Sequence, residues 1–155
     1  MDTLSPDGWG MAGKIHGLTV NDDRPIRLKR RPPLLLRISM QYEIVRAVDR
    51  PERGPWRVST RGYMYELQTE SSELILSYHW HPQSTVANPH VHIGHTQLAE
   101  DAVLSGKAHY PTGRISLESV IRTCIAEYGV SAQRPDWEET LALRESDFEA
   151  YRSWS

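Results

Sequence analysis

Leu34-Leu35-Leu36-Arg37-Ile38-Ser39-Met40-Gln41-Tyr42-Glu43-Ile44 decides the fold class. Leu34, Leu36, Ile38, Met40, Tyr42 and Ile44 alternate with Arg37, Ser39, Gln41 and Glu43. Successive side chains of a strand point to opposite faces, so this spacing predicts one long strand with a single buried face. Residues 50–55 (Arg-Pro-Glu-Arg-Gly-Pro) read as a turn. Beyond it the apolar positions change phase, from Trp56 and Val58 to Tyr63, Tyr65 and Leu67. A phase change inside one strand needs a bulge, and Gly62 is its expected site. A third strand is expected over 73–81, with Leu74, Leu76, Tyr78 and Trp80 on its apolar face, and a short fourth over 90–94. Short links between consecutive strands predict an antiparallel meander.

The C-terminal third reads as helical. Leu117, Val120, Ile121, Cys124, Ile125 and Tyr128 recur at the spacing of one buried helix face. Ser116 is the expected N-cap, Glu118 suits the helix dipole, and Gly129 is the expected C-terminal stop. Cys124 falls on the apolar stripe and reads as core rather than nucleophile. Two shorter helices are expected near 137–143 and 146–151, the second from the capping-box form Ser146-x-x-Glu149. The expected fold is α+β: an antiparallel meander sheet of about four strands with C-terminal helices packed on one face. Residues 1–33 mix Gly, Pro, Asp and Arg and read as a flexible basic arm before a single domain over 34–155.

The chain has 155 residues and a formal net charge of −2. That length fits one domain. One cysteine excludes an intramolecular disulfide framework. No run of about 18 apolar residues predicts a membrane helix, and residues 1–17 lack a signal-peptide core, so the expected compartment is the cytoplasm. The small net charge is a cancellation. Residues 1–67 carry twelve Lys/Arg against eight Asp/Glu, and residues 68–155 carry six against twelve. The basic excess lies in Arg24, Arg27, Lys29, Arg30, Arg31 and Arg37. Such a stretch binds phosphates by counterion release, or serves as a solvated arm. The acidic segment after Asp136 is a candidate to mask it.

Six of the seven histidines lie between positions 79 and 109, four of them as His79-Trp80-His81 and His90-Val91-His92. Residues two apart on a strand share a face. A hairpin across 82–89 that pairs His81 with His90 and His79 with His92 also pairs Trp80 with Val91 and Tyr78 with Ile93. Four imidazoles then share one face, close enough across the strands for one ion. Neutral imidazole is a common ligand for divalent transition metals, with zinc first among the expected ions. In the metal reading His79, His81, His90 and His92 supply the ligands and leave water an open position. In the metal-free reading His90 or His92 is a general base and another histidine the acid. His109 is in reserve, and Arg114 is a candidate to stabilise phosphate charge. A closed four-histidine site that locks the hairpin is the non-enzymatic alternative. No Asp or Glu lies between Glu73 and Glu100, so a carboxylate base must come from elsewhere.

Known motifs constrain these readings. A histidine-triad hydrolase needs a histidine at position 94, where Gly94 stands. A cupin-like metal oxygenase resembles the pattern through His90-x-His92 and His109, but Thr96 and Gln97 occupy the region where its glutamate is expected. The aromatic-rich meander, the histidines within 78–92 and the amphipathic helix over 115–128 resemble small bacterial proteins of the TumE-like toxin type. This resemblance spans about residues 36–128. It implies a toxin or defence effector, neutralised by an antitoxin or other protein partner and acting on RNA or a nucleotide as a hydrolase or nuclease. The loop at 84–89 and the segment after Gly129 depart from that pattern.

Overall fold

Leu34, Leu36 and Ile38 are buried and the residues between them are half-buried, as the alternation requires. The structure, a computed structural model, describes residues 12–49 and 51–151. Its strands are β1 (Ile15–Thr19), β2 (Ile26–Leu28), β3 (Leu34–Arg46), β4 (Trp56–Thr69), β5 (Leu74–Trp80), β6 (His90–Ile93) and β7 (Tyr110–Pro111). Two helices follow, α1 (Leu117–Ala126) and α2 (Trp137–Tyr151). The protein is α+β, and all strand pairings are antiparallel, in the order β1-β3-β4-β5-β6-β7 with β2 also on β3. The sheet has seven strands rather than about four.

The additional strands correct the reading of residues 1–33 as a flexible arm. Residues 15–19 and 26–28 pair with β3 along the edge that β4 leaves open. A long strand paired on one side alone would leave a row of unmet backbone donors and acceptors. Between the two short strands the chain turns through Asn21, Asp22 and Asp23, all at positive φ, a conformation that Asn and Asp tolerate better than most residues. Residues 1–11 lie outside the described residues.

The expected bulge falls at Gly62. Gln41 pairs with Gly62 and Tyr42 with Thr60, leaving Arg61 as the extra residue. A Cβ on Gly62 would stand 2.9 Å from the Trp80 carbonyl oxygen, so β5 passes too close for most side chains. Tyr63, Tyr65, Leu67 and Trp80 line the core face, and Tyr63 stacks on Tyr65 with ring centroids 4.8 Å apart.

α1 covers that face through Val120 and Cys124. Ser116 caps it by accepting from the Ser119 amide at 3.1 Å. At the other end Gly129 takes φ +69°, and the Val130 amide donates back to the Cys124 carbonyl at 3.0 Å. Burial pushes the Cys124 thiol up to about 11, in keeping with a core role. α2 is one continuous helix, not two. Its Glu145 carboxylate accepts from the Ser116 and Ser119 hydroxyls at 2.7 and 2.9 Å and from Arg122 at 2.9 Å. This clamp draws the middle of α2 onto the start of α1, so the chain runs through Ser146 without a new cap.

Gly94 closes the sheet against the far end of β5. Its amide donates to the Ile75 carbonyl at 2.8 Å, and an added Cβ would lie 1.6 Å from the Leu74 carbonyl oxygen. Gly113, by contrast, has open space around it. Gly94→Ala is expected to lose about 3 kcal/mol or more of stability, and Gly113→Ala to stay within about 1 kcal/mol of the wild type. Urea denaturation checks both.

Candidate metal centre

Both H-x-H pairs reach the same face of the sheet, but in a register two residues away from the expected one. His79 pairs with His90, Ser77 with His92, Tyr78 with Val91 and Leu76 with Ile93. A two-residue slip preserves which side chains face which way. Gly94 permits the observed register, because it tolerates contact with the Leu74 carbonyl. β5 therefore ends at Trp80, and His81 lies beyond the ladder at the start of the loop. The His81 carbonyl accepts from the Ser84 amide and hydroxyl at 2.9 and 2.8 Å.

His79, His90 and His92 form the group best placed to hold a cation. Their ligand nitrogens lie within 4.8 Å of one another. The rings of His79 stand 5.6 Å from His90 and 5.1 Å from His92, and those of His90 and His92 are 5.0 Å apart. Zinc–nitrogen bonds of about 2.0–2.1 Å need the nitrogens roughly 3.4 Å apart in a tetrahedral site. Small side-chain rotations close that gap. His81 lies 5.6 Å from His79 and stands outside this trio.

His109 takes the place expected of His81. β7 pairs Tyr110 with Val91 and Pro111 with His90, which carries the preceding residue alongside His92. The His109 ring lies 4.5 Å from His92 and 4.7 Å from His90. Tyr110 fixes the incoming loop, accepting from the Ser105 amide at 2.7 Å and donating to its carbonyl at 3.1 Å. His90 is buried, His79 and His92 are half-buried and His109 is exposed, so the cluster opens to solvent on the His109 side. His95 stands apart, exposed in a short 3₁₀ turn.

Two groups orient these rings. The Asn88 carbonyl accepts from His90 Nδ1 at 2.8 Å, which leaves Nε2 as the lone-pair nitrogen of the neutral ring. The Ser77 hydroxyl meets His79 Nε2 at 2.6 Å. Neither had been anticipated as part of the site, although both lie two residues before the histidine they serve. Burial, then the neighbouring imidazoles, pushes His79 down to about 4. His92 is lowered by burial, His109 and His90, against an opposing hydrogen bond with the Ala108 backbone. His79 is therefore neutral near pH 7, the form that binds metals.

Arg114 does not join the histidines. The Ile115 amide donates to the Tyr63 hydroxyl at 2.9 Å, which holds this part of the chain on the core face. The Arg114 guanidinium lies 4.2 Å from the centroid of Trp80, whose side chain points away from those of its strand neighbours His79 and His81. It also lines a cavity of about 490 Å³ at the end of β5. A second cleft of similar volume, between β2 and the helices, is largely apolar, with Cys124 in its lining and no histidine or carboxylate among its described residues.

Half of the basic stretch is paired with carboxylates in its own surroundings. Arg37 forms a two-pronged pair with Asp23 at 2.6 and 3.1 Å and approaches Glu66 at 3.6 Å. Arg27 pairs with Glu70 at 2.7 Å and Arg24 with Asp22 at 3.2 Å. Arg30 donates to the Tyr128 carbonyl at 2.6 Å and the Pro32 carbonyl at 3.1 Å, tying the segment to the end of α1. Among the described residues, Lys29 and Arg31 have no carboxylate partner. The masking acids are Asp22, Asp23, Glu66 and Glu70, rather than the segment after Asp136. No helix among the described residues is long and apolar enough to cross a membrane.

Comparison with known proteins returns no matching family model, curated protein or solved structure.

Because His79 titrates below its ordinary 6.5 in the folded chain, the unfolded chain binds that proton more readily. The contribution is present in full above pH 6.5 and is lost as the pH falls toward 4. Metal-free protein is expected to show a falling urea midpoint over that range, with a shallower fall in His79→Gln. An equal fall in both proteins would contradict this assignment.

Proposed function

We propose that this protein is a metal-dependent hydrolase of phosphodiesters, with His79, His90 and His92 holding a divalent transition metal, zinc first among the candidates. The observation that carries the reading is the trio itself: three ligand nitrogens within 4.8 Å on a patch of sheet that is open on one side. Three protein ligands with an open position mark catalytic rather than closed structural sites. A metal so held lowers the pKa of a bound water and supplies a nucleophile at neutral pH. His109, exposed beside His90 and His92, is placed to carry a proton to or from the reacting group. An anionic substrate suits a metal-bearing patch: between residues 74 and 117 Glu100 and Asp101 balance Lys107 and Arg114, so a cation on the neutral histidines would set the local sign. The resemblance to TumE-like toxins supports RNA as the phosphodiester, with an antitoxin as the partner. Lys29 and Arg31 are the residues of the basic stretch left to meet its backbone.

A second reading rests on the contrast between His92, half-buried and held low, and His109, exposed at 4.5 Å from it. Two imidazoles in unlike surroundings can cleave RNA as base and acid without a metal.

Purified protein assayed for metal content and for RNA cleavage separates the two readings. The metal reading expects about one ion per chain, loss of cleavage on chelation, and a fall of at least about 100-fold in His79→Ala, His90→Ala and His92→Ala. Activity that survives chelation and His79→Ala but not His92→Ala or His109→Ala would favour the acid–base pair. Undiminished cleavage by His90→Ala and His92→Ala would overturn both.

A further inference from the structure

The cavity at the end of β5 lies on the chain segment that joins the two H-x-H pairs. Its volume is about 490 Å³, and its lining includes Gln41, Glu43, Arg61, Trp80, Asn88 and Arg114. Ligand sites commonly fall between roughly 300 and 1,000 Å³ and combine apolar surface with a few placed polar groups. This cavity and the histidines meet at two points. Asn88 lines the cavity, and its carbonyl holds His90 Nδ1. At Gly62 an added Cβ would stand 3.4 Å from Gln41 Oε1 and 3.8 Å from His81 Nδ1, so a cavity-lining amide and an imidazole of the cluster's edge converge on one spot. His81 in turn lies 5.6 Å from His79.

The lining chemistry narrows the ligand. Gln41 presents a side-chain amide with both donor and acceptor, the pairing that reads the edge of a nucleobase. The guanidinium of Arg114, laid over Trp80, is a planar cation of the kind on which unstacked bases rest. Arg61 is the bulged residue of β4, and its guanidinium pairs with Glu43 at 2.7 Å.

We infer that this cavity is a nucleotide subsite, which takes the base of a single-stranded RNA residue and leads its phosphate to the histidines. The bulge at Arg61–Gly62 then has a role beyond strand geometry: it delivers the Arg61 side chain to the cavity and removes a side chain where β5 and His81 approach. This inference rests on the phosphodiesterase reading of the cluster, and deepens it by assigning a place for the base.

Direct binding tests it apart from cleavage. Calorimetric titration of the full chain with the four nucleoside monophosphates, with ribose 5-phosphate and inorganic phosphate as base-free probes, is the measurement. At least one monophosphate is expected to bind one to one and at least tenfold more tightly than ribose 5-phosphate. Gln41→Ala and Arg61→Gln, checked for wild-type melting, are expected to weaken that binding at least tenfold. His109→Ala is expected to bind as the wild type while its cleavage falls. Monophosphates that bind no better than ribose 5-phosphate, or undiminished binding in both cavity variants, would overturn the inference. Base-dependent binding by a protein that cleaves no RNA would sink the hydrolase reading and leave the cavity assignment standing. Cleavage with no base-dependent binding would do the reverse.

Discussion

Backbone passes so close to backbone where β6 leaves the sheet that position 94 has no room for a side chain. The Gly94 amide bonds to Ile75, and the place a Cβ would occupy is taken by the Leu74 carbonyl. That contact is open only to glycine in the observed β5–β6 register, and the register decides which imidazoles meet. It sets His79 opposite His90, puts Ser77 beside His92, and pushes His81 out of the ladder. β7 continues the same pairing on the outer side of β6 and brings in His109. A cluster of four side chains thus depends on one register, which a side chain at position 94 would obstruct.

The same packing sets the electrostatics. His79 is half-buried among its fellow histidines, where burial and like charges both disfavour the proton. Neutral imidazoles packed together with no carboxylate among them gain from a cation in a way that solvated histidines do not. On the opposite side of β5, Trp80, Tyr63 and Tyr65 form the core, and Tyr63 holds Ile115 in place. Arg114 is consequently drawn to the indole rather than to the histidines. One strand separates a ligating face from an aromatic one, and the cavity at its end borders both.

Much of this architecture was legible in the residues. The alternation over 34–44 marked β3, the phase change marked the bulge at Gly62, and the 3–4 spacing from Leu117 to Tyr128 marked α1 with its caps. The shared face of the two H-x-H pairs followed from the period of a strand alone. The exact pairing did not, because a slip of two residues leaves every face unchanged, and the steric demand at Gly94 is invisible without Leu74 opposite it. β1 and β2 were missed because they are short, five and three residues; what makes them strands is the open edge of β3. The capping-box form at Ser146 was misleading because Glu145, one residue earlier, is anchored to α1. Arg24, Arg27 and Arg37 read as a phosphate-binding run in one dimension, whereas in three dimensions Asp22, Glu70 and Asp23 stand against them.

The central claim is that the face created by this register holds a metal. A crystal structure of the protein grown with zinc, with diffraction data on both sides of the zinc absorption edge, tests it most directly. The account predicts one strong anomalous peak within about 2.0–2.1 Å of a ring nitrogen from each of His79, His90 and His92. A map with those rings ordered and no anomalous peak between them would contradict it.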